Sequence, residues 1–138
     1  MKRPKRIILV IVLSTLMLSW TSFQKAIFDL PALKNKNIDQ VTKALGKPSE
    51  ELKPTKLEVE NHITGLKFFT KGKYVLTVEY YADSKKVESY FLGEKDIVAN
   101  YKPLIAIGNL VNSLDYYIEP VRAHKDHAKF TGINITPK

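Results

Sequence analysis

Cysteine is absent from all 138 residues, so the chain can form no disulfide, offers no thiol nucleophile and lacks the lipid-acceptor residue that a bacterial lipoprotein requires. A long hydrophobic run is missing too. The longest apolar tract, residues 7–20, covers 14 positions and is interrupted by Ser14, Thr15 and Ser19, whereas a permanent membrane span takes about 20. No paired-carboxylate, Ser-His-Asp or phosphate-loop pattern occurs, and the serines beyond the N-terminal tract have no base beside them in sequence. No internal repeat or low-complexity segment divides the chain. These absences argue against an enzyme and against a cofactor. With no nucleic-acid-binding motif either, they leave a binding or accessory module as the expected class.

What is present begins with an address. Met1-Lys-Arg-Pro-Lys-Arg6 is a basic head, and with the apolar tract behind it makes the layout of a secretory signal, cut between Thr21 and Ala26. The expectation is a signal peptide over residues 1–24 and one domain over 25–138, exported to the periplasm or cell envelope. The alternative is an uncleaved inner-membrane anchor through residues 7–20, the only membrane contact expected. The charge of +8 is half due to this segment: 22 basic residues less the four at 2, 3, 5 and 6 leave 18 against 14 acidic, or +4. A domain of this length can bury about two-thirds of its surface, enough for a core without cross-links.

The organising stretch runs from Asn37 to Leu92. Asn37 can cap a helix in which Ile38, Val41 and Leu45 share one face, and Gly46 and Pro48 then end it. Residues 74–81 and 86–92 alternate as two strands joined through Asp83-Ser84-Lys85, and Tyr74, Leu76, Val78 and Tyr80 are the side expected to meet the helix. Before the helix, Asp29-Leu30-Pro31 suits a short turn that tucks Phe28 and Leu33 into the core. Between helix and strands, Leu57, Val59, Asn61 and Ile63 alternate with Glu58, Glu60 and His62, which predicts a half-exposed strand. Residues 65–73 read as a short apolar rung and a glycine turn. Beyond the hairpin, residues 96–107 predict a second helix capped by Asp96 and kinked or split at Pro103. Residues 116–123 and 130–136 predict two more strands, the first an edge strand because it holds Pro120. The expected fold is therefore α+β: a short N-terminal helix packed on an antiparallel sheet, followed by a second helix and two strands.

Asn37-Ile-Asp-Gln-Val-Thr-Lys-Ala-Leu-Gly-Lys-Pro-Ser49, followed by Tyr74-Val-Leu-Thr-Val-Glu-Tyr-Tyr81 and Lys86-Val-Glu-Ser-Tyr90, resembles the BamE-like (SmpA/OmlA-like) family of small envelope domains. That resemblance covers roughly residues 37–92 and implies a helix ending in Leu-Gly-x-Pro ahead of a short antiparallel sheet. It implies a domain that works by binding another envelope or secreted protein, and a fold also used by secreted enzyme inhibitors. The chain departs from the assembly lipoproteins in having no lipid-acceptor cysteine and in continuing for about 45 residues after the strands.

Candidate sites are few. Neighbouring strand residues point to opposite faces, so at Phe68-Phe69, Tyr80-Tyr81, Tyr90-Phe91 and Tyr116-Tyr117 one ring enters the core and the other faces outward. Phe69, Tyr81 and Tyr90 are the expected outward set, either covered by residues 96–110 or open to a partner as an aromatic patch. His124-Lys-Asp-His127 offers two imidazoles with Asp126 beside them, the one constellation suited to a metal, and with it a small metal-dependent hydrolase as an alternative function. The bland reading is a polar turn between strands, and His62 is a lone surface histidine. Asn134-Ile-Thr136 fits an N-glycosylation pattern that a bacterial signal makes irrelevant.

Overall fold

In the computed structural model, which describes residues 25–138, six strands form one antiparallel sheet, with three short helices and a 3-10 turn in the connections. The signal-peptide and anchor expectations for residues 1–24 lie outside the described residues. The strands are β1 (Glu50–Leu52), β2 (Thr64–Lys71), β3 (Tyr74–Tyr81), β4 (Val87–Val98), β5 (Tyr116–Arg122) and β6 (Phe130–Pro137), in the spatial order β1-β2-β3-β4-β6-β5. The helices are α1 (Ile38–Leu45), α2 (Lys56–Glu60) and α3 (Lys102–Ile107).

Helix α1 starts where its sequence says. The Asn37 side chain accepts from the Gln40 amide at 2.9 Å, and Gln40 Oε1 accepts from the Asn37 amide at 3.0 Å, satisfying two free N–H groups reciprocally. Gly46, at φ +90°, ends the helix in a conformation that a side chain would strain. Eight residues are too few to be stable alone. Ile38 and Val41 are buried in the same cluster as Leu76 and Val78 of β3.

Two sequence readings are corrected. Leu57–Ile63 is not a strand; residues 56–60 form α2, closed by a second capping box in which Thr55 Oγ1 accepts from the Glu58 amide and Glu58 Oε2 accepts from the Thr55 amide at 2.7 Å. Leu57 is 68% exposed there, so local hydrogen bonds rather than burial fix the turn. The second correction concerns residues 96–107. Asp96 caps nothing, because β4 continues to Val98, and the helix begins only at Lys102, with Pro103 in its first turn where a missing N–H is not missed. Pro120 does lie on an edge strand, since β5 pairs only with β6.

One face of the sheet makes the core. Phe69, Leu76, Leu92 and Ile133 stand opposite one another across β2, β3, β4 and β6, with Val78, Tyr90 and Ile135 in the next row. The lead-in segment closes over them: the amides of Ile27 and Phe28 donate to the Ile107 carbonyl at 2.9 Å, the Tyr116 hydroxyl donates to the Leu30 carbonyl at 2.8 Å, and Phe28, Leu30 and Leu33 are buried.

On the other face β4 and β6 approach closely at Gly93 and Gly132, which pair directly. A Cβ at Gly132 would come within 2.4 Å of the Leu92 carbonyl oxygen and 2.6 Å of the Phe91 ring. The carbonyl is backbone and cannot swing away, so Gly132→Ala is expected to lower stability by about 2 kcal/mol, the usual scale of overpacking. Urea unfolding measures it, as a lower midpoint at unchanged slope.

Candidate functional site

The outer face of the sheet follows from alternation and from one irregularity. In β3 the buried residues Tyr74, Leu76, Val78 and Tyr80 leave Val75, Thr77, Glu79 and Tyr81 facing out, all partly exposed. Between Glu79 and Tyr80 the pairing with β4 slips: Glu79 opposes Ser89 while Tyr80 opposes Val87, so Glu88 is an extra residue. The slip puts Val87, Tyr90 and Leu92 on the core side together, and Ser89 and Phe91 outside.

The expected aromatic patch is therefore corrected at two of its three members. Phe69 and Tyr90 are each only 2% exposed and belong to the core, while Tyr81 does face outward. Each doublet still sends one ring in and one out. The outward members are Phe68, Tyr81, Phe91 and Tyr117, the last 61% exposed.

Registers across all six strands align these residues into a row: Glu50, Phe68, Thr77, Phe91, Asn134 and Glu119, one from each strand in spatial order. Two phenyl rings flank a threonine at its centre, and a carboxylate stands at each end. Leu52 and Leu66 pair beside this row, as do Val75 and Gly93. The acidic residues on this face have defined partners. Glu79 accepts from Thr64 Oγ1 at 2.6 Å and from Ser89 Oγ at 2.8 Å. Glu88, by its charge first and by a hydrogen bond as well, raises the Tyr81 hydroxyl above its ordinary range. No lysine or arginine occupies an outward position in the paired segments of β1 to β4, although lysines dominate the chain elsewhere.

A second feature lies at the core-side end of the sheet. A cavity of about 600 Å³ opens between the loop 33–37, the β3–β4 turn and the end of β6. Tyr90 and Tyr116 line it, their rings edge-to-face at 6.3 Å between centroids, and Lys34, Lys36, Lys86 and Lys138 also line it. Burial is the main reason both hydroxyls titrate high, Tyr90 above the usual range and Tyr116 pushed up to about 12.

The metal candidates are not assembled into a site. His124 and His127 are exposed, Asp126 accepts from the Ala128 amide and pairs with Lys129 at 3.4 Å, and among the described residues no group of three His, Cys, Asp or Glu side chains could hold an ion. His62 lies 3.6 Å from Asp83 beside the β3–β4 turn. No helix among the described residues is long and apolar enough to cross a membrane. No protein-family model, curated protein or solved structure matches this chain.

Sequence reasoning missed Phe68, Phe91 and Tyr116 as site residues, and placed Tyr90 on the outer face rather than in the cavity. The doublets were the available signal, but the bulge at Glu88 inverts the parity that a continuous alternation assigns to Tyr90 and Phe91.

The tyrosines carry a testable linkage. Tyr80 and Tyr116 are both pushed up to about 12, each mainly by burial, from about 10 when unfolded. The folded state thus holds these protons more tightly, and their contribution is fully present below pH ~10 and is lost as pH rises towards about 12. Urea midpoints measured through this range should fall steadily, and Tyr116→Phe should flatten the fall.

Proposed function

We propose that the chain is an exported, noncatalytic binding domain of the cell envelope that takes a protein partner on the outer face of its sheet. The observation that carries this reading is the row from Glu50 to Glu119, with Phe68 and Phe91 at its middle and a carboxylate at each end. Partly exposed aromatic side chains on a rigid sheet are what anchor residues require: large apolar area at small entropic cost. The charge selects the partner's chemistry. A surface ringed by Glu50, Glu79, Glu88 and Glu119 on a chain of net positive charge favours a partner that is apolar at its centre and basic at its rim.

The BamE-like resemblance supports the same reading, as it rests on a capped helix ahead of a strand meander, and α1, β2, β3 and β4 run in that order. It extends to an arrangement in which α1 lies against the meander, and to a role as an envelope accessory. Inhibition of a secreted enzyme is the second form such binding takes, distinguished by loss of that enzyme's activity on capture.

Affinity capture from envelope extract with the full-length protein tests the reading, compared with Phe68→Ser and Tyr81→Ser and with Leu114→Ser as an exposed control. A specific partner should be retained by the parent and control, weakened about tenfold by each outer-face variant, and released as salt is raised because the rim charges are screened. Capture that the outer-face variants leave unchanged at matched stability rules the reading out.

A further inference from the structure

The cavity between the loop 33–37, the β3–β4 turn and the end of β6 lies apart from the outer-face row and has its own set of polar, charged and apolar groups. Its volume of about 600 Å³ lies within the range of small-molecule sites. The floor holds an unusual group. Tyr90 is 2% exposed, yet its hydroxyl makes no hydrogen bond among the described residues and is not sealed off from solvent, so it opens into the cavity. Its neighbour Tyr116 is engaged in donating to the Leu30 carbonyl, which leaves Tyr90 as the free donor.

Positive charge predominates around the opening. Lys36 and Lys86 have no acidic partner among the described residues, Lys34 is paired with Asp115, and the Lys138 ammonium sits 5.0 Å from the centre of the Tyr117 ring. Glu88 also lines the cavity, one carboxylate against four lysines, and its charge raises the Tyr81 hydroxyl as well. Cations here are lysines alone. A guanidinium fork matches a planar carboxylate, whereas ammonium groups are point charges that suit a tetrahedral anion approached from several directions. Leu33, Val87 and Pro137 give the wall an apolar portion for a carbon skeleton.

We propose that this cavity binds a small organic phosphate, with Lys36 and Lys86 holding the anion and the Tyr90 hydroxyl donating to it from the floor. The phosphate can be a free polyol or sugar phosphate or the headgroup of a lipid, and the chemistry recognised is the same.

Isothermal titration of the full-length protein with glycerol 3-phosphate, inorganic phosphate and uncharged glycerol tests the site. Glycerol 3-phosphate should bind at about 1 mM or tighter, and glycerol should not bind. Tyr90→Phe keeps the ring and removes one charge-assisted hydrogen bond, so binding should weaken about tenfold. Lys86→Gln should weaken it about threefold and reduce its salt dependence. Vesicles of phosphatidylglycerol form the second arm, read as the difference between the parent and Tyr90→Phe because residues 7–20 can associate with a bilayer on their own. A difference on vesicles with no response to glycerol 3-phosphate assigns the lipid headgroup, and the reverse assigns a free ligand. Should Tyr90→Phe prove poorly folded by its melting temperature, Lys86→Gln and Lys36→Gln carry the test. The proposal is overturned if neither arm shows saturable binding, or if binding is unchanged in all of the folded variants.

Discussion

Everything in this fold follows from the sheet being buried on one side only. The alternation of β3 sends Tyr74, Leu76, Val78 and Tyr80 into the core, and the antiparallel registers oblige every paired strand to present the matching face. A one-residue slip anywhere would turn a row of aliphatic side chains out to water. Register is accordingly the quantity most strongly specified by this sequence, and of its three irregularities the one at Glu88 decides which aromatic rings of β4 are available for contact.

Covering that face is harder than forming it, because the helices are short. Helix α1 contributes Ile38 and Val41, α3 contributes Leu104 and Ile107, and the lead-in segment supplies Phe28, Leu30 and Leu33 without being helical over most of its length. Backbone hydrogen bonds from residues 27–30 to the carbonyls of Ile107 and Gly108 hold that segment in place. At the β1 edge the cover becomes polar. Lys67 reaches Thr42 of α1 at 3.2 Å and Glu51 at 3.6 Å, and the Tyr80 hydroxyl donates to Glu51 at 3.0 Å, its ring lying across Gly65, where a Cβ would stand 2.8 Å from it. A charge on the core face is tolerated there because each polar atom finds a partner at the rim.

The sequence made plain those elements whose local chemistry and long-range packing agree. Asn37 with Gln40 caps α1, residues 74–81 alternate without a break, and Pro120 belongs to an edge. It misled where local hydrogen bonding overrides a pattern: Leu57 and Val59 alternate with glutamates as strand residues do, but Thr55 and Glu58 form a capping box whose spacing was legible and carried more weight than the alternation. Residues 94–98 were obscure for the opposite reason. Glu94 pairing with Tyr74, the amide of Lys95 donating to the Lys73 carbonyl, and Val98 pairing with Phe130 keep β4 extended there, and all are contacts between residues far apart in the chain. The doublets announced that one ring of each pair would face outward. Which ring did so depended on the bulge, a feature of pairing rather than of any residue.

The same one-sidedness separates charge in a way composition conceals. Lysines that fall on the core face, such as Lys67 and Lys71, place their ammonium groups over the rings of Tyr80 and Phe28, so positive charge gathers at the edges of the buried layer. Glu50, Glu79 and Glu119 fall on outward positions, where Glu50 and Glu119 end the row that Phe68 and Phe91 centre, while Glu51 and Glu94 stand on the core side and pair with Lys67 and Lys73. An acidic apolar face and a basic cavity therefore coexist on one small domain, placed by the period of two that builds its core. Any partner of the first and any ligand of the second approach from different sides of the sheet and need not compete. Coupling between them would have to pass through β4, whose Phe91 faces one and whose Tyr90 floors the other, with a single peptide bond between the two rings.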